Sequence, residues 1–246
     1  MSEFKNKVAF VTGGSRGMGA AISRRLAEKG ANVVLTYNSS ESEAYELLSF
    51  IESTGQRGLA IQADNANPEE VKNAVEKTVA EFGRIDILIN NAGIFDAKPI
   101  EEFTLNDFQK TLDINVRAVF VASQLASTFM TQGGRIISIG SNLAKRALMP
   151  GLSLYSLSKA ALVGFTKALA RDLGSRKITV NIIHPGSTNT AMNPADGEFS
   201  DMQRSTMCIP QYAEPLDVAN LVAWLSSDEA QCITGSEITI DGGTNA

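Results

Sequence analysis

Short apolar runs alternate with longer amphipathic segments along the chain. KVAFVT (7–12) reads as a buried strand, and 17–29 as a helix stopped by Gly30. NVVLTY (32–37) is a second strand, a helix over about 40–54 stops at Gly55, and GLAIQA (58–63) is a third strand. NPEE (67–70) starts a helix, with Asn67 as N-cap, Pro68 in the first position and Glu70 two residues further on. RIDILIN (84–90) is strand four. TLND (104–107) caps a long helix running to about 131, and GRIISIG (134–140) is strand five. A helix over 152–173 ends near Gly174, KITVNII (177–183) is strand six, Pro215 opens a helix to about 227, and SEITID (236–241) closes the series as a strand.

Alternation of this kind predicts parallel strands joined by right-handed helical crossovers. The strands are almost wholly apolar, as strands covered on both faces should be. The pattern predicts an α/β fold, a Rossmann-type doubly wound sheet of about seven strands with helices on both faces. We read 1–246 as a single domain, with no internal repeat and no linker. The one long irregular stretch is 184–215, and a loop of that length in a compact domain is usually functional. A substrate lid is expected at about 187–212.

Composition narrows the function classes. The 246 residues carry a net charge of −5, which argues against nucleic acid or an anionic membrane as the main partner. The N-terminal segment has no long apolar run and does not read as a signal peptide, and no stretch reaches the roughly 18 apolar residues of a membrane span. We therefore expect a soluble, cytoplasmic protein. Cys208 and Cys232 make no disulfide framework and no metal spacing, and read as small, partly buried side chains. The chain has one histidine, His184, so a histidine metal pair is impossible; its expected role is packing, and no metal site is predicted.

The junction of strand one and helix one carries VTGGSRGMGAAI (11–22). Gly13, Gly17 and Gly19, with Ser15, Arg16 and Met18 among them, permit a tight turn and let the backbone approach a pyrophosphate at the helix N-terminus. Strand, turn, helix and strand within about 30 residues is the context that makes such a turn a dinucleotide site. The end of strand two then decides which dinucleotide. An acidic residue there would hold the adenosine ribose of NAD, but the chain has Asn38, Ser39 and Ser40. No carboxylate repels a 2′-phosphate, and Arg16 can pair with one, so NADPH is expected over NADH.

TGGSRGMG, NNAG (90–93), Asn115, GS (140–141), YSLSK (155–159), HPG (184–186) and DGG (241–243) occur in the order found in short-chain dehydrogenases/reductases, and the chain resembles that family over nearly its whole length. The resemblance implies that Tyr155 is the general acid in carbonyl reduction and that Lys159 holds the nicotinamide ribose and lowers the tyrosine pKa. It implies that Ser141 hydrogen-bonds the substrate oxygen and that Asn115 holds a water in a proton relay. The residue chemistry agrees: free tyrosine titrates near 10, a nearby ammonium favours the phenolate, and helix positions i and i+4 share a face. Taken alone, Tyr155 and Lys159 would read as an exposed helix pair. By the same resemblance Asp64 and Asn65 border the adenine, Asn91, Ala92 and Gly93 line the cofactor backbone, and Pro185, Gly186, Thr188 and Thr190 cover the nicotinamide end.

Ser141 stands fourteen residues before Tyr155, one more than the family's commonest spacing, which alters the pocket wall. Ser138 lies within strand five and is no substitute. Candidate walls are Phe95, Leu143, Leu148, Met149, Leu152, Leu154, Met192 and Met207, an apolar set suited to a small hydrophobic carbonyl substrate, though any one of them fits core packing as well. Relatives that reduce 3-oxoacyl groups meet an acidic acyl carrier protein with basic residues. Arg176 matches one such position, whereas Gln132 stands where another arginine is expected. The stretch 187–197 also resembles a subgroup treated as cyclic-dinucleotide-binding, biofilm-related regulators, so an NADP-binding sensor is the alternative to a reductase. The family's usual homotetramer is expected from the apolar second faces of helices 104–131 and 152–173.

Overall fold

The computed structural model describes residues 3–130 and 133–246. Gln132, the position weighed against an acyl-carrier partner, and the first two residues of the N-terminal segment lie outside them. Seven strands form one parallel sheet: β1 (Val8–Val11), β2 (Asn32–Tyr37), β3 (Gly58–Gln62), β4 (Ile87–Asn90), β5 (Arg135–Ile139), β6 (Thr179–Pro185) and β7 (Glu237–Ile240). Their order is β3-β2-β1-β4-β5-β6-β7. The order reverses between β1 and β4, and ligands of open α/β sheets bind beyond the strand C-termini at such a point.

Strand periodicity sorts the core into two layers. Ala9, Val11, Val33, Leu35, Ile87 and Ile89 point to one face, against Ile22 and Leu26 of α1 (Gly17–Glu28), Leu47 and Ile51 of α2 (Glu41–Ser53), and Val218 and Val222 of α8 (Pro215–Ser226). Val8, Phe10, Val34, Leu88, Ile136 and Val180 point to the other, against Val71 and Val75 of α3 (Pro68–Phe82), Val121 and Ala122 of α5 (Ala118–Phe129), and Ala170 and Leu173 of α6 (Ser153–Leu173). The inner strands β1, β2, β4, β5 and β6 thus bury both faces, which is why they read as apolar runs, while the edge strands β3 and β7 are only partly buried.

The predicted caps form, with differences. Asn67 accepts from Glu69 N at 3.1 Å and Pro68 opens α3. Glu70 does not close a box on the Asn67 backbone; its carboxylate takes Asn67 Nδ2 at 2.9 Å and Asp64 N at 2.7 Å. Thr104 and Asp107 form a full capping box at the start of α4 (Leu105–Leu112). The single helix expected over 104–131 is instead α4, a π-helical turn over Asp113–Arg117, and α5. Strand six runs on through His184 and Pro185. Proline lacks only a donor, and Gly186 N restores the ladder by bonding Ile240 O at 2.9 Å. The long irregular stretch contains a short helix, α7 (Glu198–Arg204). Cys208 and Cys232 are both exposed, against the expectation of partial burial, because each sits in a surface turn rather than on a strand or helix facing the core.

Candidate active site and cofactor cleft

The glycine turn is tied to its neighbours through the backbone. Gly13 N donates to Thr36 Oγ1 at 3.0 Å, and Gly14 N to Thr36 O at 2.9 Å. Thr12 Oγ1 accepts Asn91 N at 3.0 Å and Ala92 N at 3.1 Å, coupling the turn to the end of β4. Gly13 and Gly17 have φ of +59° and +54°, the left-handed region that favours glycine. Arg16, the residue before α1, is extended and caps nothing with its side chain, and the first turn of α1 holds no acid. The first-turn amides therefore face outward with positive polarity, as an anion site requires.

Around this turn lies a cleft of about 480 Å³. It gathers Gly13, Ser15, Arg16, Gly17, Met18 and Gly19 with Asn38, Ser39, Ser40, Asp64, Asn65, Asn91, Ala92, Gly93 and Thr190. Ser15 Oγ lies 2.9 Å from Ser40 Oγ, joining the turn to the end of β2. Thr36, Tyr37, Ala63, Ile94, Ile114 and Ala191 also line it and were not expected; Thr36 and Tyr37 stand next to the flagged strand end, while the apolar members carry no signal distinguishing wall from core. Five of the predicted cofactor residues are not in its lining: Tyr155 and Lys159, both on α6, and Pro185, Gly186 and Thr188. Pro185 is buried in β6, Gly186 packs so closely on Asp241 that a side chain would collide, and Thr188 turns its hydroxyl onto Gly186 O at 3.2 Å. A separate cavity of about 590 Å³ opens beside Phe4, Lys7, Arg135 and Trp224, and contains none of the predicted site residues.

Beside Gly93, at the edge of the cleft but not in its lining, the candidate catalytic side chains converge. Ser141 follows β5 and is buried, its Oγ accepting Leu143 N at 3.2 Å. Tyr155 and Lys159 share a face of α6, and Lys159 Nζ lies 5.8 Å from the Tyr155 ring centre. Lys159 is buried and donates to Ile139 O at 3.0 Å, and a Cβ placed on Gly93 would come within 3.3 Å of its Nζ. Phe95 packs edge-on against Tyr155 with ring centres 4.9 Å apart.

The electrostatics correct one expectation. Burial pushes the Tyr155 hydroxyl above its ordinary value, with the Ser141 side chain acting in the opposite sense; the Lys159 ammonium is not among the groups that shift it. Burial also lowers Lys159, to about 8. Desolvation, which disfavours the charged form of each group, sets the direction of both shifts. A raised pKa keeps Tyr155 protonated, the state a proton donor needs.

The lysine carries a stability cost with a definite sign. The unfolded chain holds the Lys159 proton up to about 10.5 and the folded protein only up to about 8, so stability rises with pH between those values and the cost is fully present below 8. That depression corresponds to a cost on the order of 3 kcal/mol at neutral pH. Lys159→Met is expected to stabilise the protein at pH 7 by up to that amount, to flatten the rise above pH 8, and to remove activity. Denaturant titrations at pH 7 and pH 10 check this; a destabilised variant at pH 7 would contradict it.

Asn115 sits in the π-helical turn, fully buried. Its Oδ1 accepts Ile94 N at 2.9 Å, and its Nδ2 donates to Ile94 O and Ser158 Oγ, both at 3.0 Å. The side chain is thus committed to bracing the segment after β4 against α6, and a relay water would have to be held by other atoms. π-Turns inside helices often occur at functional sites, and this one faces the Lys159 neighbourhood.

Of the predicted substrate walls, Phe95, Leu148 and Met192 are exposed, and Leu143 and Met149 partly so. Leu152, Leu154 and Met207 are buried, and of the whole set Met192 alone lines the cofactor cleft. Arg176 lies beyond the C-terminal end of α6, a 21-residue helix whose first turn holds Tyr155, which places it roughly 30 Å away along the axis. Its guanidinium donates to Ser127 O and Met130 O, capping α5 rather than presenting a free charge beside the site.

A family model described as Enoyl-(Acyl carrier protein) reductase matches residues 13–245. A short chain dehydrogenase from Burkholderia cenocepacia J2315, solved in complex with NADP, is 55% identical, covers 99% of this chain and 100% of its own, and superposes with a TM-score of 0.98. The chain belongs to the short-chain dehydrogenase/reductase family. A blue fluorescent protein from a metagenomic library, in complex with NADPH, is also similar: 50% identity, 99% and 100% coverage, TM-score 0.98. The Cyclic-di-GMP-binding biofilm dispersal mediator protein of Escherichia coli K12 is 41% identical over the full length of both chains. The short-chain dehydrogenase/reductase fold thus accounts for the sheet order and for the cleft at its switch point. Among the described residues no group of three or more His, Cys, Asp or Glu is placed to hold a metal ion. No described helix is long and apolar enough to cross a membrane.

Proposed function

We propose that the protein is an NADPH-dependent carbonyl reductase that converts a hydrophobic ketone or 3-oxoacyl compound to the alcohol. The observation that carries this reading is the closeness of Ser141 to Tyr155 and of Lys159 to Gly93, at the edge of the cleft that holds the glycine turn. When bound, the nicotinamide supplies the hydride. At the end of β2 the cleft offers Asn38, Ser39 and Ser40 in place of a carboxylate, with Arg16 in the same cleft, which suits a 2′-phosphate. Tyr155, kept protonated by burial, is the proton donor to the carbonyl oxygen, and Ser141 hydrogen-bonds that oxygen. Phe95 shields the phenol from water. The segment 187–212 acts as the lid: Tyr212 OH donates to Gln203 Oε1 at 2.8 Å and Ser187 bonds the same oxygen, which preorganises it. With Arg176 spent on α5, a small apolar ketone fits better than an acyl-carrier-bound substrate.

A second reading, a nucleotide-binding regulator without turnover, rests on the similarity to the biofilm dispersal mediator. The retained Ser141, Tyr155 and Lys159 weigh against it, since a sensor has no use for a proton donor. Steady-state NADPH oxidation against a panel of hydrophobic ketones and 3-oxoacyl thioesters separates the two. Turnover is expected; tight NADPH binding with no turnover on any compound would favour the regulator. Asn38→Asp is expected to lower the preference for NADPH over NADH by at least about tenfold, because its carboxylate repels the 2′-phosphate and holds the ribose hydroxyls. An unchanged ratio of kcat/KM values for the two cofactors would show that the end of β2 does not set selectivity.

A further inference from the structure

The peptide unit between Asn142 and Leu143 is held at both ends. Its N–H donates to Ser141 Oγ at 3.2 Å, and its carbonyl oxygen accepts Asn245 Nδ2 at 2.8 Å. A peptide group is planar and almost always trans, so its N–H and C=O point in opposite directions and turn together. Whatever fixes the carbonyl therefore fixes the amide that holds the Ser141 hydroxyl. The same carbonyl receives Lys145 N at 3.1 Å and Arg146 N at 3.4 Å from within its own turn, so among the described residues Asn245 is its one partner from outside that turn.

Asn245 reaches across 103 positions of sequence because the segment after β7 is itself pinned. Asp241, buried just past that strand, accepts Gly243 N at 3.0 Å on one carboxylate oxygen and Asn245 N at 3.2 Å on the other, and its carbonyl takes Thr244 Oγ1 at 2.7 Å. Arg146 adds a second stitch, its guanidinium donating to Thr244 O at 3.4 Å. The orientation of the amide is decided by Asn142: turned over, Asn245 would set Oδ1 against another acceptor at 2.8 Å. In the orientation present, Oδ1 is buried with no hydrogen-bond partner among the described residues. An unpaired buried acceptor costs stability that an apolar side chain would keep, so what this residue contributes is its donor.

We infer that Asn245 is a positioning residue for Ser141, its Nδ2 gripping the Asn142–Leu143 peptide and so aiming the Ser141 hydroxyl beside Tyr155. The effect on turnover rests on the reductase reading above; the grip does not. The experiment compares the wild-type protein with Asn245→Asp, nearly the same shape without the donor, and with Asn245→Ala. The Asp variant sets a carboxylate oxygen against Asn142 O and is expected to lower kcat at least about tenfold; the Ala variant only removes the bond and is expected to lower it about fivefold. Both are expected to keep the NADPH dissociation constant within about twofold, since Asn245 does not line the cofactor cleft. Hydrogen exchange at the Leu143 amide is expected to quicken about fivefold in Ala and further in Asp, with the amides of the sheet exchanging as in the wild type. Wild-type Leu143 exchange in both variants, wild-type kcat in both, a fall in NADPH affinity as large as the fall in kcat, or faster exchange spread through the sheet would each overturn the inference. If the Asp variant does not fold, the Ala variant decides it by the same readings. If the wild-type protein turns over no ketone, the reductase reading fails, and Leu143 exchange alone decides the grip.

Discussion

Tyr155→Phe is expected to abolish ketone reduction while leaving NADPH affinity within about twofold. The substitution removes one oxygen. The ring keeps its edge-on contact with Phe95, and Ser158 Oγ bonds the Tyr155 carbonyl at 2.7 Å rather than the phenol, so α6 is not disturbed. What disappears is the only side-chain acid placed beside Ser141 at this edge of the cleft among the described residues. His184 is buried behind Ser141 with its ring nitrogens turned to backbone and to Glu237. Lys159 points at Ile139 O. A positioned general acid is worth roughly 10² to 10⁴ in rate, so turnover should fall by at least the lower figure. The check is steady-state kinetics paired with direct titration of NADPH. Retained activity above a few per cent would mean that another group delivers the proton.

Gly19→Ala is expected to destabilise the protein by at least about 2 kcal/mol and to remove measurable NADPH binding. Gly19 lies in the first turn of α1 with an ordinary helical φ, so the demand is for space rather than for backbone freedom. A Cβ there would overlap the Gly13 carbonyl oxygen and approach Asn91 Nδ2 within 2.6 Å. Neither atom can yield cheaply. Gly13 belongs to the left-handed turn, and Asn91 Nδ2 donates to Thr12 O and Gly13 O, each at 3.0 Å. Relief must therefore move the phosphate turn or the end of β4, and both line the cleft. Thermal denaturation with an NADPH titration tests this. A variant of wild-type stability and affinity would show that the turn is more pliable than its packing indicates.

How far the sequence carried the reading depended on the kind of signal. The strands declared themselves because a strand covered on both faces must be apolar throughout, and the cofactor turn did so because glycine spacing reports backbone geometry directly. The end of strand six was harder: a His-Pro pair reads as a break, yet a terminal proline costs the ladder only a donor that Gly186 replaces. The π-turn at Asp113–Arg117 leaves no mark in hydrophobic periodicity, so one long helix was the natural expectation. Apolar residues do not announce whether they line a pocket or fill a core, and of the expected walls only Met192 lies in the lining of the cofactor cleft. Desolvation is likewise invisible in sequence. Spacing places Lys159 beside Tyr155, but the depth of burial sets the direction in which each titrates.

On the proposed reductase reading, hydride passes from NADPH to a ketone that Tyr155 protonates. NADPH carrying deuterium at the transferable C4 position, incubated with the enzyme and a hydrophobic ketone, tests it most directly. The account predicts an alcohol with deuterium on the carbinol carbon, formed by the wild-type protein and not by Tyr155→Phe. Bound NADPH that never transfers deuterium to any ketone would contradict it.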